Sequence, residues 1–200
     1  MTMDEHGRPG AVRLPSDWEE SRGTAAFVHG GEHPGADFSD IDLSDIRVEN
    51  LRAAGASFEG SKLNDFRVLD GDLGEASFVG ANLDDAKLFD CTLARARFAG
   101  CLMNRVHLAA CQLLEANLEG VVLRGAYLDG ADFTFARLAD AELNGASARD
   151  AIFDHADLSN VDFRGADLTR AHFTGANLDG ALFTGAALQG AVFDGGKLPR

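Results

Sequence analysis

Three cysteines, four prolines, one tryptophan and one tyrosine are all that 200 residues contain of these types, and each scarcity removes a class of protein. A disulfide-stapled scaffold needs more than three cysteines. Cys91, Cys101 and Cys111 form no CxxC pair and have no histidines placed beside them as zinc would require. No phosphate-cradling loop and no nucleophile motif appears, so nothing points to an enzyme or to a bound cofactor. Basic residues number 18 against 32 acidic ones, and the net charge of −14 disfavours direct contact with nucleic acid. No apolar run approaches the ~20 residues of a membrane-spanning helix. The N-terminus carries Asp4 and Glu5 and no hydrophobic segment, so no signal peptide is read and a cytoplasmic protein away from membranes is expected.

What the sequence has instead is a period of five. Residues 36 to 200 divide into 33 consecutive units without an insertion, and the central position i is Leu in 18 of them and Phe in 10. The others are Val48, Val68, Ala53, Ala148 and Met103. Position i−2 is small: Ala in 20 units, the three cysteines, and a few Val, Ile, Ser or Gly. Positions i−1, i+1 and i+2 carry Asp, Asn, Thr, Ser, Arg and Gly. In a short extended stretch i−2 and i point to one side and i−1 to the other. The two remaining residues turn a corner, for which Gly, Asp and Asn are suited. A helix is excluded, because five-residue spacing carries the apolar group around the helix instead of along one stripe. A period this short means a solenoid of stacked coils.

Phenylalanine shows how many units close a coil. Phe38, Phe58, Phe78 and Phe98 recur every twenty residues, as do Phe133, Phe153, Phe173 and Phe193. Four units therefore make one square turn, with Phe rings stacked from coil to coil. Phe163 and Phe183 lie ten residues off the second series, hence on the opposite wall. With layers about 4.8 Å apart, about eight coils give a rod about 40 Å long. The cysteines, all at i−2, read as slightly larger alanines inside the coil.

The Ala-Asp/Asn-Leu/Phe-x-x units of residues 36–200, such as Ala176-Asn177-Leu178-Asp179-Gly180, resemble the pentapeptide repeat family. The resemblance implies an all-β fold, a right-handed quadrilateral parallel β-helix, with no catalytic residues. Some members of that family confer quinolone resistance or protect antibiotic producers by imitating duplex DNA and binding DNA gyrase, and many others have no known activity.

Residues 1–35 fall outside the register and hold the only Trp. Ser16-Asp17-Trp18-Glu19 predicts a capping box opening a short helix, and Ala25-Ala26-Phe27-Val28 a strand ending at Gly30-Gly31. The segment reads as an N-terminal cap, with a disordered tail or a partner-binding arm as the alternatives. At the other end Phe183, Leu188, Phe193 and Leu198 are expected to form a bare coil on which two copies meet across a two-fold axis. Lys197 and Pro199 are the features that would instead keep that edge solvated and the protein monomeric.

The repeat region carries 26 acids and 15 bases, and net −11 over about 40 Å is about half the charge density of duplex DNA. Asp37, Asp40, Asp42, Asp45, Glu59, Asp65, Asp84 and Asp85 fall on two adjacent walls with only Lys62 among them, an anionic patch. Asp45, Asp65 and Asp85 form a column of like charge, for which Arg47, Arg67 and Lys87, two residues on, predict salt-bridge ladders around the corner. Between 91 and 128 the acids thin to Glu115 and Glu119. Outward positions there and just before turn apolar: Leu102 and Val122 stack on one wall, Leu69 and Phe89 on the next, with Tyr127 on that same wall. His155 and His172, beside Asp154, read as surface residues and not as metal ligands.

Together these features predict a non-catalytic protein-binding module. Its sharpest form is a DNA mimic that binds a type II topoisomerase such as DNA gyrase through the acidic patch and protects it from inhibitors. The alternative is a structural adaptor or targeting scaffold that holds another protein through the apolar waist.

Overall fold

Each five-residue unit forms one flat wall in the computed structural model, which describes residues 16–194. Outward i−1 residues pair in parallel with the residue twenty further on, as in the run Asp37↔Ser57↔Ser77↔Arg97↔Asn117↔Arg137↔Asp157↔Asn177. Four walls therefore close one turn, and the chain winds a four-sided parallel β-solenoid of about eight turns. We number the walls by their first central residue: wall one Phe38, wall two Leu43, wall three Val48, wall four Ala53.

The corners follow from one backbone choice. In the turn Leu43-Ser44-Asp45-Ile46 the Ile46 N–H donates to the Leu43 carbonyl (3.3 Å) and Asp45 takes φ 59°. That is the hydrogen bond and the positive third-residue φ of a type II turn. The left-handed conformation recurs at i+2 around the rod, at Gly175 (φ 70°), Asn160 (57°) and even Phe135 (59°). Position i+1 needs no such freedom.

Six short strands appear where pairing widens. On wall three β1 (Val28–Glu32), β2 (Arg47–Arg52), β3 (Arg67–Asp72) and β4 (Lys87–Phe89) form one parallel sheet in that order. On wall four β5 (His172–Phe173) pairs with β6 (Val192–Phe193). β1 departs from the sequence expectation: it begins at Val28 and runs through Gly30-Gly31 instead of stopping there. Val28 pairs with Val48 and Gly31 with Leu51, twenty residues on, so coil pairing starts before residue 36. Gly30 is required, since a Cβ there would lie 2.7 Å from the Leu51 Cα.

The interior is a stack of side chains from i and i−2. Leu51 and Phe66 also occupy i−2 and are fully buried, so that position is not uniformly small. At Leu51 the volumes are exchanged within one unit, because the central residue is Ala53. Both Phe columns form at the predicted spacing. Ring centroids of Phe38, Phe58, Phe78 and Phe98 follow at 5.0 Å with near-parallel planes. Phe133, Phe153, Phe173 and Phe193 do so on wall four at 4.9–5.2 Å. Phe163 and Phe183 face them from wall two and meet them edge-on, Phe163 lying 6.0 Å from Phe173.

α1 (Ser16–Ser21) lies over the first coil. Trp18, twenty residues before Phe38, is fully buried and stacks on it at 5.8 Å and 17°, so the aromatic column continues one layer outward. Ser21 ties the helix down: its hydroxyl donates to the Trp18 carbonyl and accepts the Arg47 N–H (3.3 Å).

The thiols belong to this core. Cys101 donates to the Phe78 carbonyl and Cys111 to the Leu88 carbonyl. Burial pushes the Cys101 thiol up to about 12, far from a reactive thiolate at neutral pH.

Candidate functional site

Outward side chains are placed by the same register. On wall three the i−1 column reads Arg47, Arg67, Lys87, His107, Tyr127, and beside it the i+1 column reads Glu49, Leu69, Phe89. Leu69, Phe89 and Tyr127, with Leu102 on wall two, are 36–46% exposed, large apolar groups left in water at mid-rod. Val122, paired with Leu102, is half-buried. His107 joins the wall-three residues into one aromatic strip: its ring lies 4.1 Å from Tyr127, nearly parallel, and 6.3 Å from Phe89. Partial burial, and then the charge of Lys87, hold His107 below the usual histidine range, which favours its uncharged form. The sequence reading did not single out His107, although its place twenty residues before Tyr127 is the signal that finds it. The wall-two pair stands apart from this strip, across a corner closed by the Asp85–Arg105 ion pair (2.6 Å).

The acidic patch is partly neutralised. Asp42 lies 3.4 Å from Arg22 and 3.9 Å from Lys62. Its carboxyl sits below the usual range first through the backbone N–H of Ser44 and then through those cations. Glu59 accepts from the Ser77 hydroxyl (2.6 Å) and reaches Arg97 (3.4 Å). Asp84 accepts from the backbone and side-chain amides of Asn104, both at 2.8 Å. Among the described residues Asp37 accepts only the Ser39 N–H. Asp40, Asp45 and Asp65 have neither an ion pair nor a side-chain hydrogen bond among the described residues.

The predicted ladders from Asp45, Asp65 and Asp85 to Arg47, Arg67 and Lys87 do not form. With φ positive, the i+2 side chain runs along the corner toward the i+2 residue of the next coil and not onto the following wall. Asp85 therefore meets Arg105 and Asp150 meets Arg170, each through two hydrogen bonds and twenty residues apart. Along the walls, i+1 reaches the i−1 residue eighteen further on, as in Glu119–Arg137 (2.8 Å) and Arg149–Asp167 (2.6 Å). These ion pairs run from coil to coil, whereas Arg164 pairs with Asp162 within one unit.

His155 stacks on exposed Phe135 at 5.0 Å, and Asp154 accepts the Thr174 N–H. Among the described residues no group of three His, Cys, Asp or Glu side chains is placed to hold a metal. No helix among them is long and apolar enough to cross a membrane. At the C-terminal coil Phe183, Leu188 and Phe193 are only half-buried; Leu198 lies outside the described residues.

Comparison with known proteins places this arrangement. The profile described as pentapeptide repeats matches in eight copies, over residues 72–105, 101–134, 126–165 and 166–200. No curated protein sequence matches. Two trypsin-treated forms of QnrB1, a plasmid-mediated fluoroquinolone resistance protein, superpose with TM-scores of 0.60 and 0.58 at 22% identity. The first alignment covers 84% of each chain; the second covers 76% of this chain and 77% of QnrB1. HetL, a pentapeptide repeat protein of heterocyst differentiation regulation from the cyanobacterium Nostoc sp. strain PCC 7120, aligns over 92% of this chain and 97% of its own at 20% identity and TM-score 0.43. At these identities the likeness is one of fold.

Proposed function

This chain belongs to the pentapeptide repeat family, and from that premise we propose that it is a non-catalytic rod that binds another protein through wall three. The observation that carries the proposal is the continuous strip on wall three of exposed Leu69, Phe89 and Tyr127 joined by half-buried His107. Aromatic groups held in place by a fixed backbone bury large area on binding at little cost in side-chain freedom, which is what an anchor for a partner requires. A structural adaptor or targeting scaffold is the role that such a contact serves.

The test is capture from an extract of the source cells with the parent and with a Phe89→Ser, Tyr127→Ser variant as bait, quantified by mass spectrometry. Both side chains face water, so the variant should melt like the parent and lose the partner. A partner retained at parental level by the folded variant removes wall three as the contact.

A second reading is favoured by a different observation. Among the described residues Asp40, Asp45 and Asp65 have no ion pair and no side-chain hydrogen bond, at the first coils of a chain with net charge −14, as a DNA mimic directed at a type II topoisomerase such as DNA gyrase would need. The fold likeness to a fluoroquinolone resistance protein suits that reading. Asn tolerates positive φ, so Asp37, Asp40, Asp45 and Asp65 changed together to Asn should leave the fold intact. On this reading parental protein inhibits gyrase supercoiling and the quadruple variant does not; a parent without effect on gyrase excludes it.

A further inference from the structure

The remaining cations of the rod are already spoken for. Arg22, Arg52, Lys62, Arg95, Arg97, Arg105, Arg124, Arg137, Arg149, Arg164 and Arg170 each make an ion pair with an acid of this chain. Among the described residues only Arg47, Arg67 and Lys87 do not. These three are consecutive in one column, paired Arg47↔Arg67↔Lys87 across β2, β3 and β4. The Nε atoms of Arg47 and Arg67 are shut from solvent and find no acceptor. Three like charges one coil apart, about 4.8 Å, repel each other, and among the described residues no carboxylate forms an ion pair with them, Asp85 turning to Arg105 instead. The column runs directly into His107 and Tyr127, with exposed Leu69 and Phe89 alongside.

We propose that this stripe is the docking site for an acidic, amphipathic peptide segment of another protein, whose carboxylates pair with Arg47, Arg67 and Lys87 while its apolar side chains cover Leu69, Phe89 and Tyr127. Guanidinium groups bind carboxylates through paired, charge-assisted hydrogen bonds. The charge pattern also sets the width of the occupant. Asp45 and Asp65 line the corner on one side, Glu49 lies beside the cations, and Asp70 and Asp90 stand at the next corner. A broad polyanion such as a nucleic acid would be repelled along both edges, whereas a single extended segment one side chain wide fits between them. The inference rests on the reading that wall three binds a protein, and it adds the chemistry of the partner.

The experiment is display selection of random twelve-residue peptides on the parent, followed by affinity measurement of the selected peptides on variants checked for parental melting. The variants are Arg47→Gln, Arg67→Gln, Lys87→Gln together, Phe89→Ser with Tyr127→Ser, and Arg149→Gln as a control in an internal ion pair. The expected peptides alternate Asp or Glu with Leu, Phe or similar residues. They lose about tenfold or more on both multiple variants, weaken with salt, and are unaffected by the control. Neutral or basic peptides, or acidic peptides that bind the triple Gln variant as well as the parent, overturn the inference. If loss occurs only with Phe89→Ser and Tyr127→Ser, the wall-three reading stands and the acidic partner falls. If it occurs with neither, both fall. No binder above the triple-variant background also overturns it. So does a single-stranded DNA 20-mer that binds the parent more tightly than the selected peptides and depends on the three cations. A parental dimer in sedimentation that dissociates in the triple variant assigns the stripe to a second copy of this chain and overturns it as well.

Discussion

Position i+2 adopts the left-handed conformation whether its residue is Gly175, Asp45, Arg105 or Phe135. The corner is therefore imposed by the coil, and the preference for Gly, Asp and Asn reflects relief of a cost of about 1 kcal/mol or more per residue. Position i−2 is governed by space instead. Ala151 and Ala171 are fully buried beneath the Phe153 and Phe173 stack. Ala151→Leu or Ala171→Leu should destabilise the rod by about 1–3 kcal/mol in urea unfolding through overpacking. A variant that unfolds like the parent would place i−2 outside the core. Inside and outside were legible in the sequence because size alternates with polarity every second residue. The direction of the i+2 side chain was not, since the residue types there mark a turn without showing which neighbouring chain the side chain turns toward. That is why Arg47, Arg67 and Lys87 were expected to pair with Asp45, Asp65 and Asp85 and do not.

Among elements, the ladders from coil to coil set how the rod responds to pH. Asp150 is held below the usual carboxylate range by Arg170, Asp85 by Arg105, and Asp167 by the Thr169 hydroxyl and then Arg149. A folded-state pKa below the unfolded value means that the stabilisation is present above about pH 4 and is lost as pH falls through the folded value. Melting temperature should therefore stay level from pH 7 to about 5 and drop below about pH 4, less steeply for Asp167→Asn. A melting temperature unchanged down to pH 2.5 would contradict this.

The first coil offers a second test at this scale. On the reading that residues 1–35 cap the solenoid, Trp18→Ala should cost about 3–5 kcal/mol. Trp18→Phe should cost much less, because the buried indole N–H has no acceptor to lose. Equal unfolding of parent and Trp18→Ala would remove the capping role. Trp18 was missed as a layer of the aromatic column, and His33 as the ring that meets Trp18 and Phe38 edge-on, because neither matches the Leu or Phe of the repeat, although Trp18 precedes Phe38 by one coil.

For the whole molecule, the repeat fixes which residues share a wall, and so the apolar waist could be located from sequence. Its division could not: Leu102 and Val122 are set apart by the Asp85–Arg105 corner, while His107 joins Phe89 to Tyr127. The reading that two copies meet at the C-terminal coil rests on Phe183, Leu188 and Phe193, which are half-buried. In sedimentation the parent should be a dimer and Phe193→Asp a monomer; a monomeric parent, or a dimer indifferent to the change, rules that end out.

The location of the partner on the rod can be read directly by hydroxyl-radical footprinting of the free protein and of its complex with the captured partner. Phe135 and Val192 serve as internal references, since both are exposed and lie off wall three. Protection of Leu69, Phe89 and Tyr127 with unchanged labelling of Phe135 and Val192 is the predicted result. Protection confined to other walls, with Phe89 and Tyr127 labelled as in the free rod, would contradict it.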